Sequence, residues 1–395
     1  MPSPSSPVRI EFVATSREID DALWSACFPS PWEGRFWYQT LEACGLEDQF
    51  DFHYAVIKTG DRPVGIVPCF VHDVPVALVA PAPVAWCFNF LSRFFPRAGC
   101  QRTFFIGSPC ADEGRIGLAP GAKPAEVIGP LAEALRAKAR ALNAPMMVFK
   151  DFPAADLPAL ETLCGGKSDF FRMPSYPGTR VRLPAPDKHA YLRALSGPHR
   201  HNLSKKLRRS KELLALETSI VDRPSDAELA EIFGLFMQTY ERGKTKFERL
   251  NLRFFENIRG QAPARFILQR DPATGELLTF MLVFSLGGRL INKFIGLDYR
   301  RAGRTFLYFR LFDAALDFAY ATGAAELQSG QTGYRAKLDL GHELVPLFNL
   351  VRHENPLVHA VYRAIGRRVT WRTLDGDLAN FLRAHPECDR RAAEG

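Results

Sequence analysis

Several signatures that would settle a function outright are missing from this chain of 395 residues. It has no GxGxxG turn, no Walker phosphate loop, no HExxH and no GxSxG. Dinucleotide, nucleoside triphosphate, zinc-peptidase and serine-hydrolase chemistry therefore have no local motif to rest on. The cysteines (Cys27, Cys44, Cys69, Cys87, Cys100, Cys110, Cys164 and Cys388) form no CxxC pair and no metal-type spacing with histidine. They read as small buried hydrophobes of a reducing compartment, and no metal is expected. The opening residues, MPSPSSPVRIEF, lack the basic-then-apolar order of an export signal, which points to the cytoplasm.

Charge is missing in two places. From Val74 to Leu91 the chain carries none, but Pro75, Pro81, Pro83 and Asn89 argue against a membrane-crossing helix. Acid is absent from Val74 to Ala111, where Arg93, Arg97 and Arg102 flank Trp86, Phe88, Phe90, Phe94 and Phe95. Such a mixture suits a buried loop and strand, or a peripheral contact with an anionic membrane at its inner face. The second acid-free stretch lies between Asp187 and Glu212 and holds PHRHNLSKKLRRSK, with Leu203, Leu207 and Leu214 at helical spacing. A solvated helix, an anionic lipid contact and a tRNA contact all fit it, although no aromatic between Tyr191 and Phe233 offers a base a stacking platform.

What is present is an ordinary globular composition, with 47% hydrophobic and 24% charged residues. The net charge of +8 favours an anionic partner. Phenylalanine is abundant, at 31 residues, and runs in pairs at 94–95, 104–105, 170–171 and 254–255, as core filling or as the lining of an apolar substrate site.

Periodicity and turn residues divide the chain into two mixed α/β lobes. The first has strands at 8–13, 53–58, 63–72, 103–106 and 146–152, with helices near 19–26, 37–43 and 124–142. The second has a helix at 226–242 with Ser225 as its cap, then strands at 265–269, 278–285 and 290–296. Gly287-Gly288 marks a hairpin between the last two. A loop at 298–304, a helix at 305–322 closed by Gly323 and a strand at 325–329 follow. A strand at 344–352 and helices at 357–369 and 371–382 complete the lobe. The expected units are 1–186, a basic joining helix at 187–217, and 218–395.

The segment Arg300, Arg301, Ala302, Gly303, Arg304 and Thr305, between a strand and an apolar helix, suits a pyrophosphate. A helix start offers backbone N–H groups, and glycine permits close approach. Arg300-x-x-Gly303-x-Thr305 resembles the Arg/Gln-x-x-Gly-x-Gly/Ala loop of GNAT acyltransferases, with Thr in place of a smaller residue. Residues 306–321, then Gln328, Gln331, Tyr334, Lys337 and Gly341, resemble the closing segment of the FemAB-like and BioF2-like acetyltransferases. The resemblance implies two tandem GNAT-like lobes, each a mixed, mainly antiparallel sheet flanked by helices, with the carrier site complete only in the second. It implies acyl-CoA (coenzyme A) as co-substrate and a backbone carbonyl donor near Phe294 and Ile295, where two strands splay apart.

Candidates for the catalytic base are Glu241, Tyr240, Tyr334 and His342, the last because a loop histidine titrates near neutrality. Gln328, Gln331 and Lys337 are candidates for substrate binding. The expected activity is N-acyl transfer from an acyl thioester to an amine, the acceptor a lipid-type or long-chain amine such as a sphingoid base. The alternatives are an aminoacyl-tRNA-dependent transferase extending a peptidoglycan precursor, the one case in which nucleic acid would be a partner, and a non-catalytic module of the same fold.

Overall fold

The computed structural model describes residues 7–75, 100–166, 169–243 and 248–388. The apolar run beyond Pro75, with Trp86, Phe88, Phe90, Arg93, Phe94, Phe95 and Arg97, lies outside the described residues.

Two sheets form the frame. The first contains β1 (Val8–Val13), β2 (Asp51–Thr59), β3 (Arg62–Pro75), β4 (Cys100–Ile106), β5 (Gly117–Leu118), β6 (Met146–Pro153) and β7 (Phe171–Pro174). The second contains β8 (Gly178–Arg182), β9 (Glu217–Val221), β10 (Ala264–Arg270), β11 (Leu277–Leu286), β12 (Arg289–Leu297), β13 (Glu326–Gln328) and β14 (Glu343–Val345). β15 (Leu347–His353) returns to the first sheet. The strand orders are β1-β2-β3-β4-β6-β15-β7, with β5 on β3, and β14-β8-β13-β12-β11-β10-β9. Each sheet is antiparallel except at one pair, β4 with β6 and β12 with β13.

The sheets exchange strands. β7 and β8 follow each other in sequence but belong to different sheets, as do β14 and β15. The strand expected at 344–352 is therefore two strands, divided at Pro346. β8, from before residue 187, pairs with β13 and β14, and β15, from after 217, lies between β6 and β7. The two cross-overs touch where the Ser175 N–H donates to the Leu347 carbonyl.

The core divides into three main layers. Helix Pro124–Ala141 covers the outer face of the first sheet, burying Ile128, Leu131 and Leu135 against Ile57, Phe104 and Phe149. Helices Gly197–Leu213 and Leu307–Ala321 cover the outer face of the second. Between the sheets, helices Asp21–Cys27, Arg35–Glu42, Asp226–Arg242 and Leu252–Ile258 share one core that includes Trp24, Trp37, Phe70, Phe254, Phe255 and Phe280. Of the described phenylalanine pairs, Phe105, Phe254 and Phe255 are buried in this central core, Phe104 and Phe170 under helix Pro124–Ala141, and Phe171 in a small cluster with Met146 and Val351, so all are packing residues. Local signals act as expected. Ser225 and Glu228 form a capping box, and Gly287 and Gly288 take positive φ in the β11–β12 hairpin.

Candidate functional site

The second sheet opens beside β13. β12 pairs with β13 only at Arg289↔Glu326, Leu290↔Leu327 and Ile291↔Gln328, after which β12 runs on to Leu297 paired with β11 but open on the β13 side. β13 stops because the next turn uses positive φ at Gly330, Thr332 and Gly333. The backbone of Asn292–Gly296, with Phe294 and Ile295, thus forms one wall of a wedge between parallel strands. Across β11 the register slips, with Leu282 facing Phe294 and Val283 facing Asn292, so Lys293 is an extra residue. A bulge of this kind re-aims its side chain. Lys293 points into the space between the sheets, over the Trp37 ring at 4.5 Å, and its side chain is 1% exposed.

The first sheet has its own wedge, and it is plugged. β4 pairs with β6 as far as Ile106↔Phe149, and then residues 107–116 fold back into the gap. Gly114 donates to the Asp151 carbonyl at 2.9 Å, and a Cβ on Gly114 would lie 2.1 Å from the Lys150 carbonyl, so only glycine fits. The same loop carries Asp112 and Glu113 toward the second lobe.

Lys293 Nζ reaches Glu33 at 2.8 Å, the Cys110 carbonyl at 3.1 Å and Asp112 at 3.8 Å. Burial acts against each charge. Glu33 is nevertheless held below its usual range, because Lys293 and then Arg289 outweigh burial, and Lys293 is held above its own by Asp112 and Glu33. One ammonium does not neutralise two carboxylates, and burial leaves Asp112 raised. Its Oδ2 is buried with no hydrogen-bond partner. Burial likewise pushes Glu113 up to about 7, against Arg289 at 3.9 Å.

The turn after β13 is tied from within. Lys337 Nζ donates to the carbonyls of Ser329, of Gly330 at 3.2 Å and of Gln331 at 3.1 Å. Burial lowers its ammonium to about 7, with Asp112 opposing. Its donors are taken up by its own loop, so it shapes the wedge and does not face a ligand, contrary to the binding role expected of it. His342 is buried, its Nδ1 2.9 Å from the Lys337 carbonyl and its Nε2 3.0 Å from Ser329 Oγ. Burial and Lys337 depress it to about 3, so it is neutral at neutral pH, donates through Nδ1 and accepts from Ser329. Titration near neutrality was the wrong expectation, because the loop is enclosed.

Tyr334 is also excluded as a base. Its ring is fully buried, its hydroxyl donates to the Pro177 carbonyl at 2.8 Å, and burial raises it far above its ordinary range. Tyr240 packs against the central core with its ring stacked on Phe236, and Glu241 is exposed at its helix end. Neither figures among the contacts of Asp112, Lys293 or Lys337. Gln328 is buried in β13, next to Ile291. Gln331 Nε2 and Asn292 Oδ1, on the two sides of the wedge, are buried without hydrogen-bond partners. An unpaired donor and an unpaired acceptor flanking a gap fit a ligand amide.

The arginine segment differs from its expectation. Tyr299–Thr305 is a helix and not a loop, and Asp298 caps it by accepting from the Arg300 N–H. Phe306, at φ 55°, breaks it from the helix Leu307–Ala321. Arg300 pairs with Asp298 at 2.9 Å and Glu276 at 2.6 Å, and Arg301 with Glu276 at 3.0 Å and Asp271 at 3.3 Å. Arg304 is exposed, Ala302 and Thr305 are half-buried, and a Cβ on Gly303 would meet nothing within 4 Å. The positive charge is therefore largely matched by carboxylates from the β10–β11 turn.

Glu33, Asp112, Glu113 and Lys293 were missed by sequence reasoning. Their one visible trace is the pair of acids that ends the acid-free stretch at Ala111.

No protein-family model matches the chain, and no curated protein matches it in sequence. Solved structures do match its fold. FemX aligns over 89% of this chain and 100% of its own, at 12% identity and a TM-score of 0.55. A conserved protein of unknown function from Bacteroides thetaiotaomicron aligns over 87% of this chain and 100% of its own, at 11% identity and a TM-score of 0.54. A tandem GNAT protein from the clavulanic acid biosynthesis pathway aligns over 88% and 99%, at 13% identity and a TM-score of 0.50. At these identities the likeness is one of fold, and that fold is the tandem GNAT arrangement of two lobes.

Proposed function

We propose that the chain is an N-acyltransferase that passes an acyl group from coenzyme A to an amine in the β12–β13 wedge. The observation that carries this is the placement of Asp112, a half-buried carboxylate of raised proton affinity whose Oδ2 makes no hydrogen bond and lies 3.8 Å from Lys293, beside the turn that closes the wedge. The amine nitrogen attacks the thioester carbonyl carbon, and the oxyanion is met by backbone N–H groups on the side of β12 that β13 leaves open. Asp112 takes the proton the nitrogen sheds, the C–S bond breaks as the carbonyl re-forms, and Asp112 returns that proton to the leaving thiolate. Asn292 and Gln331 suit an amide of the pantetheine arm. Lys337 and His342 hold the turn, and Lys293 with Glu33 holds Asp112.

The acceptor we favour is a long-chain amine, on the strength of the apolar residues from Val74 to Leu91. Each buried methylene contributes about 0.8 kcal/mol, so kcat/KM should climb steeply with acceptor length. The test is product formation, read by mass spectrometry, from acyl-CoA and a graded series of primary amines. A flat response to chain length would remove the lipid acceptor, and no turnover with any pair would remove the activity.

A second reading, transfer from an aminoacyl-tRNA, is favoured by one observation. Arg300 and Arg301 are matched by carboxylates, while Lys205 and Arg209 on helix Gly197–Leu213 are exposed and enter no ion pair among the described residues. That activity would ignore alkyl length and collapse in Lys205→Gln/Arg209→Gln, because those charges would meet RNA phosphates.

A further inference from the structure

Helix Pro356–Gly366 is built with an apolar outside. Asn355 accepts from the Leu357 and Val358 N–H groups, and Pro356 takes the first position, so the helix starts firmly. Its inner side rests on β7 and β15. His359 is buried with its ring 5.4 Å from that of Phe171, and a Cβ on Gly366 would lie 2.7 Å from the same Phe171 ring. That contact fixes which side faces solvent. Leu357 is 79% exposed and Val361 59%, and Ala360 and Ala364 are exposed beside them. These positions recur at i, i+3, i+4 and i+7, which is one continuous stripe. A lone exposed leucine is ordinary, but a stripe at helical spacing is not.

Charge accompanies the stripe. From Asn355 to Leu374 there is no acid, while Arg363, Arg367, Arg368 and Arg372 are present. Arg367 and Arg368 are exposed just past the helix and enter no ion pair among the described residues. We infer that this helix docks the protein on an anionic lipid bilayer, with Leu357 and Val361 seated at the acyl boundary and Arg367 and Arg368 on lipid phosphates. A short apolar stripe bordered by cations matches the headgroup layer in both respects. A second copy of the chain fits less well. The stripe is convex and offers no groove, and four side chains are few beside the roughly 800 Å² per partner of a stable interface. The basic helix Gly197–Leu213 has the charge, but its one large exposed apolar side chain is Leu213. The inference stands apart from the reaction chemistry.

Flotation of the full-length chain with vesicles tests it, using equal parts of phosphatidylglycerol and phosphatidylcholine against phosphatidylcholine alone. Binding to the anionic vesicles, weakened by salt, is expected. Leu357→Glu/Val361→Glu should lower it about tenfold or more with an unchanged melting temperature, since both residues are exposed. Arg367→Gln/Arg368→Gln should lower it several-fold, and Lys205→Gln/Arg209→Gln should leave it unchanged. The inference is overturned by any of four results. These are no binding to the anionic vesicles, undiminished binding by the Leu357/Val361 variant, loss of binding in the Lys205/Arg209 variant, or gel filtration showing that Leu357→Glu/Val361→Glu splits a dimer.

Discussion

Asp112 of the first lobe stands where a side chain on Gly330 of the second would have to be, for a Cβ there would lie 2.7 Å from Asp112 Oδ1. Gly330 also takes φ +57°, a conformation that costs an alanine roughly 1 kcal/mol. Gly330→Ala should therefore lower the melting temperature by a few degrees and displace the carboxylate. A fall in kcat of tenfold or more is expected. An unchanged kcat would mean that Asp112 has no fixed place in the reaction.

Asp112→Asn keeps the shape and removes the proton acceptor. Loss of general-base assistance should reduce kcat about a hundredfold or more, with KM for the acyl donor nearly unchanged. Steady-state kinetics on protein whose circular dichroism matches wild type separates this from misfolding.

Glu113 gives the pH prediction. Its folded-state affinity for a proton is raised to about 7 from an ordinary 4.5. The native state thus binds more proton than the unfolded chain between those values, and its contribution to stability is full below pH 4.5 and lost as pH rises through 7. Glu113→Gln, which mimics the protonated acid, should flatten the decline between pH 5 and 8. At pH 8 the gain should be at most about 3 kcal/mol by urea denaturation.

Lys337→Met leaves the carbonyls of Ser329, Gly330 and Gln331 without their buried donor. A loss of stability on the order of 3 kcal/mol is expected. A variant of native stability that had lost only donor affinity would return Lys337 to the binding role.

Glu276 competes for both Arg300 and Arg301. If coenzyme A phosphates use those arginines, Glu276→Gln should tighten coenzyme A binding a few-fold by calorimetry, as expected when one partly exposed carboxylate is removed. Weaker binding in that variant would move the phosphate site elsewhere.

What the sequence revealed follows the range of the forces involved. The Gly287-Gly288 hairpin, the Ser225 cap and the close of the helix at Gly323 depend on neighbours in the chain, and all three stand where expected. The arginine segment misled because its carboxylates, Asp271 and Glu276, come from another turn. His342 and Tyr334 misled because burial cannot be read from a loop of polar residues. Asp112 was out of reach for a related reason. Its meaning depends on Lys293 and Gly330, which lie far along the chain and meet it only after both lobes have folded.

The exchange of β8 and β15 sets an order on assembly. β15 inserts between β6 and β7, yet it follows every other described strand in sequence and so leaves a ribosome after them. Until it arrives, β7 has no partner in its own sheet, and the first lobe presents two unpaired strand borders while the whole second sheet is being made. Such borders invite pairing with other chains. A nascent chain stopped before Leu347 should therefore be a good client for a chaperone, and the finished protein a poor one.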